Sequence, residues 1–165
     1  MTLAIVYGSS MGNTEDAAKM IGDELGLDAD IIDVAKADPE KLNSYDGLIC
    51  GTSTWGCGDM QDDWDGFDFD GLNLANKTVA VFGLGDSQGY GHEFCDGMGL
   101  LYELLKKSGA KMIGECSTDG YNFDESHAIN KEGKFVGLAL DADNEDELSK
   151  ERIKKWVSSI KESFI

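Results

Sequence analysis

Short runs of apolar residues alternate along the chain with longer segments whose apolar positions recur every three to four residues. Leu3–Tyr7, Asp30–Val34, Gly47–Gly51, Thr78–Leu84 and Lys111–Glu115 have the length and apolar content of buried strands. Thr14–Leu25 carries Ala17, Ala18, Ile21 and Leu25 at helical spacing, with Asn13 or Thr14 placed to cap it. Gly99–Ser108 carries Leu100, Leu101, Leu104 and Leu105 and is stopped by Gly109. A last helix places Leu148, Arg152, Trp156 and Ile160 one turn apart, with Ile153, Val157 and Phe164 alongside. Strands that are apolar on both faces and alternate with amphipathic helices predict a doubly wound α/β fold: a parallel sheet covered by helices on both faces. A length of 165 residues with 41% hydrophobic residues and one Pro predicts a single domain spanning 1–165.

In such a sheet, ligands bind outside the carboxyl ends of the strands. Three loops leave those ends. The first is Gly8-Ser9-Ser10-Met11-Gly12-Asn13-Thr14, which joins a strand to a helix N-terminus. Backbone N–H groups, the helix dipole and the hydroxyls of Ser9, Ser10 and Thr14 make this an anion site. It contains no Lys or Arg, so a phosphate would be held there by neutral donors. The second loop is Thr52-Ser53-Thr54-Trp55-Gly56-Cys57-Gly58-Asp59, and the third is Gly85-Asp86-Ser87-Gln88-Gly89-Tyr90-Gly91-His92. Each carries one aromatic among small residues. Trp55 and Tyr90 are placed to clamp a flat ring, and glycines around an aromatic favour loop chemistry over core packing. A phosphate at the first loop and a ring between the others describe a mononucleotide-like ligand.

Charge narrows the partners. With 14 basic against 32 acidic residues, the formal net charge is −18. Nucleic acid is excluded by repulsion, and basic proteins are favoured by electrostatic steering. Plain solubility is the competing explanation. Against it, Asp59, Asp62, Asp63, Asp65, Asp68 and Asp70 fall close together, and Asp141, Asp143, Glu145, Asp146 and Glu147 form a second cluster. The N-terminus has no basic flank or cleavable apolar stretch, and no apolar run reaches membrane-spanning length, so neither secretion nor membrane insertion is expected. Cys50, Cys57, Cys95 and Cys116 have no C-x-x-C spacing and fit reduced cytoplasmic thiols, with no metal site.

These loops, in order and on the correct strand ends, resemble the long-chain flavodoxins. The motifs carrying the resemblance are Tyr7–Thr14, Thr54-Trp55-Gly56, Gly85-Asp86 through Tyr90, and the ending Ile153-Lys154-Lys155-Trp156-Val157. Flavodoxins are the type example of a sheet in the order 2-1-3-4-5 with FMN at the switch point. The resemblance therefore implies a flavodoxin-like five-stranded parallel sheet in that order. Thr118–Leu140 fits the segment that interrupts the fifth strand in long-chain members, with Phe135–Leu140 as the strand resuming.

The resemblance also implies FMN as cofactor. Ser9, Ser10, Gly12, Asn13 and Thr14 would hold its phosphate, Thr54 and Trp55 the inner ring face, and Tyr90 the outer face. Asp86, with Gly85, would lie at the pyrimidine end, and Gly56, Cys57 and Gly58 at the redox edge. Met11 stands in the phosphate loop where the family usually has a hydroxyl. Glu93, where a neutral residue is common, and Cys95 fall near the ring. The implied function is a monomeric, low-potential one-electron carrier without a substrate of its own, shuttling between semiquinone and hydroquinone. A backbone flip at Gly56 would stabilise the neutral radical. The implied partners are a flavodoxin/ferredoxin NADP reductase and a low-potential acceptor or donor complex, docking at the Asp59–Asp70 surface.

Other users of similar sheets fit less well. A phosphorelay receiver needs acids where Gly8-Ser9 and Gly51-Thr52 stand. A P-loop needs the lysine that Gly12-Asn13-Thr14 lacks, and a dinucleotide dehydrogenase needs G-x-G-x-x-G in the first turn. A flavin-dependent quinone or nitro reductase is the closest rival, with Tyr90 covering the face such an enzyme leaves open.

Overall fold

The structure, a computed structural model, describes residues 1–55 and 58–165. Its strands and helices are β1 (Leu3–Gly8), α1 (Asn13–Leu25), β2 (Ala29–Asp33), α2 (Pro39–Asn43), β3 (Gly47–Trp55), β4 (Asp59–Met60), α3 (Asp62–Asp65), β5 (Thr78–Leu84), α4 (Asp96–Lys107), β6 (Lys111–Ile113), β7 (Leu138–Leu140) and α5 (Asp146–Ile160). The main sheet runs β2-β1-β3-β5-β6, and every pairing along it is parallel. β7 pairs with Phe82–Leu84 of β5, continuing the ladder that β6 makes with Thr78–Ala80. β6 and β7 are thus two pieces of one fifth strand. The sheet has the predicted order 2-1-3-4-5, and an excursion separates the two pieces as predicted, although it spans 114–137 and the strand resumes only at Leu138.

The burial pattern explains the sheet. All six residues of β1 are buried, as are the first six of β3 and all but the first of β5. β2 is the edge strand, and of its residues only Ile32 is fully buried. One face packs Ile5, Ile49 and Phe82 against Ile21 and Leu25 of α1 and Ile153, Trp156 and Val157 of α5. The other packs Val6, Cys50 and Val81 against Trp64, Met98 and Leu101 of α3 and α4 and Phe135 of the excursion. Two dry faces hold β1, β3 and β5 rigid, which fixes where their carboxyl ends deliver the three loops.

Several elements differ from the periodicity. β3 runs on to Trp55, because its end pairs antiparallel with β4. α4 begins at Asp96, not Gly99, because its first turn lies against the end of β3. Gly97 N–H donates to Thr54 Oγ1 (3.0 Å), and a side chain at position 97 would strike the Ser53 carbonyl. α2 and α3 are too short to show a period. α2 nonetheless carries a start signal, with Asp38 capping Lys41 N–H ahead of Pro39. Among the described residues, no helix is long and apolar enough to cross a membrane.

Candidate functional site

A cavity of about 300 Å³ opens where β1, β3 and β5 end. Its first wall is the β1–α1 turn: Ser9, Ser10, Met11, Asn13 and Thr14 line it. Gly12 shapes the turn, capping α1 at φ 93°, a conformation glycine adopts without strain. Its N–H donates to Ser9 Oγ (2.9 Å), and Gln61 Nε2 donates to Ser10 Oγ (3.0 Å). Each hydroxyl therefore accepts from the protein and keeps its own proton for a ligand. The first backbone bond of α1 runs from Asp16 N–H to Gly12 O (3.0 Å), so the N–H groups before it face out of the helix N-terminus. Met11 is 78% exposed and its side chain adds no donor.

The second wall is the end of β3, with Ser53, Thr54 and Trp55. Trp55 is 41% exposed, which removes it from the core, and its indole N–H donates to Ser53 Oγ (2.7 Å). The third wall is the loop after β5, with Gly85, Asp86 and a 55% exposed Tyr90. Asp86 organises it. Its Oδ1 accepts from Gln88 N–H (3.1 Å), Gly89 N–H (2.7 Å) and Asn144 Nδ2 (2.7 Å), and its carbonyl accepts from Tyr90 N–H (2.8 Å). The Gly89 N–H, then Asn144, holds the Asp86 carboxyl below the usual carboxylate range.

That loop is anchored from the far end of the chain. Asp141, fully buried after β7, accepts from Ser87 N–H (3.2 Å), the Ser87 hydroxyl and Asn144 N–H (3.1 Å) and Nδ2 (3.0 Å). Ala142 and Asp143 extend this segment into the cavity, and Leu84 completes the lining. Burial pushes the Asp143 carboxyl up, and the nearby Asp86 and Asp141 add to the shift.

The structure thus brings ten of the sequence-predicted residues onto one cavity: Ser9, Ser10, Met11, Asn13, Thr14, Thr54, Trp55, Gly85, Asp86 and Tyr90. Gly56 and Cys57 lie outside the described residues. Gly58, at φ 99°, instead borders a neighbouring cavity with Asp96 and His127. Glu93 sits half-buried in a short 3-10 turn and does not line the site. Cys95 does not line the cavity either. It is fully buried, its Sγ 3.7 Å from Gly83 O and 3.9 Å from Leu140 O, and burial pushes its thiol up. Its thiol is turned towards those carbonyls and away from the cavity lining. Sequence reasoning missed Ser53, Leu84, Ala142 and Asp143. The signal for the last two was their place at the carboxyl end of the resumed strand.

Asp96 ties the site's surroundings to the excursion. It accepts from His127 N–H (2.6 Å), and its Oδ2 lies 2.7 Å from His127 Nδ1. This hydrogen bond, and then the charge of Asp96, raise the His127 pKa above its ordinary 6.5. The stabilisation is fully present below pH 6.5 and is lost as pH rises through the higher folded value. The imidazole is 75% exposed, so the effect on stability is small. A proton NMR titration should place the His127 midpoint above 6.5, and Asp96→Asn should bring it back down. An unchanged midpoint in that variant would refute the pairing.

A family model described as Flavodoxin matches residues 5–156. The chain is 46% identical over 163 residues to a flavodoxin of Synechocystis sp., covering 96% of this chain and 95% of that protein. It is 43% identical over 163 residues to Flavodoxin 1 of Escherichia coli strain K12, covering 97% and 93%. The crystal structure of Fusobacterium nucleatum flavodoxin bound to flavin mononucleotide superposes with a TM-score of 0.91 at 31% identity, covering 98% of each chain. A match of this extent, on a sheet of this order with its three loops around one cavity, means that the chain belongs to the flavodoxin family.

Proposed function

We propose that this chain binds FMN non-covalently and carries single electrons at low potential between redox proteins in the cytoplasm, with no substrate of its own. The observation that carries this reading is a single cavity with phosphate-type donors at one wall and two exposed aromatics, Trp55 and Tyr90, on the others. The donor set suits a phosphate monoester: hydroxyls and a helix N-terminus, with no Lys or Arg in the lining. Ser9, Ser10, Asn13 and Thr14 would hold the phosphate, with Gly12 keeping the turn open. Thr54, Trp55 and Tyr90 would hold the ring, and Gly85 and Asp86 its polar edge. For Gly56, Cys57, Gly58 and Glu93, a place beside the ring rests on the family resemblance alone.

FMN supplies reversible one-electron chemistry when bound. The protein sets its energy. Asp86 and Asp143 line the cavity in a chain of formal charge −18, so any added negative charge there is opposed. At an effective dielectric near 20, a carboxylate 4 Å from such a charge would oppose it by about 4 kcal/mol before screening. This disfavours the fully reduced anion and puts the last electron at low potential, so the carrier works between its one-electron-reduced and fully reduced forms.

Basic partners, such as a flavodoxin/ferredoxin NADP reductase and a low-potential acceptor or donor complex, would dock on the Asp59–Asp70 surface. Asp59, Asp62, Asp65, Asp68 and Asp70 are exposed. Asp63 differs, because its carboxylate accepts from Gln61 Nε2 (2.9 Å), the amide that orients Ser10. The surface is therefore best tested with Asp62→Asn and Asp65→Asn together. Stopped-flow reduction by such a reductase should be slowed several-fold at low salt, with a flatter salt dependence. Equal slopes for both proteins would remove this surface from the proposal.

The central experiment is a visible spectrum of the FMN-loaded protein during stepwise anaerobic reduction. A long-wavelength band that rises and then falls is expected of a one-electron carrier. Direct bleaching in a single two-electron step would favour a reductase. A protein that takes up no added FMN would overturn the site.

A further inference from the structure

A second cavity, of about 340 Å³, lies away from the loops already described, between the chain leaving β6 and the exposed side of α5. Glu115, Cys116, Asp119 and Tyr121 line it from one side, and Arg152 and Lys155 from the other. Its frame is rigid. Trp156 Nε1 donates to Gly114 O (2.8 Å), and the Tyr121 hydroxyl donates to Ala139 O (2.6 Å).

Arg152 is the unusual member. Its guanidinium carbon lies 3.9 Å from the centre of the Tyr121 ring, a stacked cation–π contact. Nη2 donates to Gly120 O (3.0 Å) and to Glu145 Oε1 (3.2 Å). Nη1 is buried and has no hydrogen-bond acceptor among the described residues. A buried guanidinium donor normally finds a partner, because leaving it unpaired forfeits its hydration. Lys155 stands three residues further along α5, exposed, with no carboxylate within 4.0 Å among the described residues. On a chain with 32 acidic and 14 basic residues, a cavity whose two cations match its two carboxylates is a local departure from the overall negative field.

We propose that this cavity binds a small oxyanion, a phosphate or a carboxylate, between Arg152 and Lys155. The guanidinium offers the one donor it has left, Nη1, to either group, and the ammonium adds a mobile point charge. Ser117 adds a hydroxyl, since its Oγ already accepts from Asp119 N–H (3.1 Å) and keeps its proton. Glu115 and Asp119 on the rim limit the ligand to a small anion and hold affinity to the weak range. Arg152 also bonds the 141–145 loop through Glu145, so an anion drawing on Arg152 acts on the segment that braces the Tyr90 loop.

The test is a ¹⁵N NMR titration of the FMN-loaded protein with inorganic phosphate and, separately, with acetate, at ionic strength held constant with sodium chloride. Saturable shifts are expected in residues 115–121 and 152–159 and in the Arg152 side chain. Lys155→Ala, which removes an exposed charge, should weaken the response by about threefold. Arg152→Lys, which keeps the charge and loses the unpaired Nη1 donor, should weaken it further. Saturation by phosphate alone assigns a phosphate ligand, and saturation by acetate assigns a carboxylate. Linear shifts up to about 50 mM, well past the millimolar range of a weak site, would overturn the proposal. So would saturable shifts confined to residues 9–14, or an affinity unchanged in Lys155→Ala.

Discussion

Trp64→Ala is expected to destabilise the protein by about 3–5 kcal/mol, the range for deleting a fully buried large aromatic. The ring is 0% exposed and lies under the first loop, where a side chain at Gly8 would collide with it and with Gln61. It stacks on Phe69 at 5.9 Å between centroids and meets Phe67 edge-on at 5.6 Å. Its indole N–H donates to Gly51 O (2.7 Å) in the middle of the sheet. Losing the ring also frees α3, and with it Gln61, which orients the Ser10 hydroxyl. Denaturant unfolding should show the stability loss, and FMN binding by the residual folded protein should weaken in parallel. Trp64→Phe separates the two contributions. It keeps most of the packing and strands the Gly51 carbonyl, so about 1–3 kcal/mol is expected. A Phe variant as damaged as the Ala variant would mean that the hydrogen bond, not the ring, dominates.

Asp141→Asn should act at a distance. The carboxylate is completely buried and accepts from the backbone and hydroxyl of Ser87 and from Asn144, while Asn144 donates onward to Asp86. An amide of the same shape turns an NH2 towards these donors. Losing one charge-assisted bond costs about 1.5–3 kcal/mol. The third loop then loses its brace, and FMN affinity should fall by about tenfold, equivalent to about 1.4 kcal/mol. A purely structural lesion would stop there. Asp141 also helps push the Asp143 carboxyl up, so removing its charge should lower the Asp143 titration midpoint in carbon-detected NMR. Weakened FMN binding with an unmoved Asp143 would argue that the variant merely loosens the fold.

How far the site was legible differs from residue to residue. Ser9, Ser10, Asn13 and Thr14 could be placed on the cavity because an anion turn is a local object: a strand end, small polar residues and a helix start within a few positions. Trp55 and Tyr90 were found because glycines beside an aromatic at a strand end mark a loop. The facing of the Cys95 thiol was not legible, because nearness in sequence to the third loop says nothing about facing. The turn that places it at φ 56° sends its thiol under β5. Asp143 was missed because the fifth strand is broken, and its carboxyl end re-enters the site only after the excursion returns as β7. The start of α4 was misread because Gly97 and Gly99 weaken the helical pattern, although both are needed where the helix touches backbone.

Periodicity and turn chemistry are short-range, so the order of elements, the parallel sheet and the three loops follow from the chain read locally. Hydrogen bonds between distant segments are not short-range. Asp141 bracing Ser87, Gln61 steering Ser10, Asp96 holding His127 and the unpaired Arg152 beside its cavity join residues between 31 and 54 positions apart or depend on what surrounds a single atom. Only packing the two faces of the sheet brings those groups together. It thereby selects which of many polar residues line the cavity, which become braces, and which are left with a donor to offer.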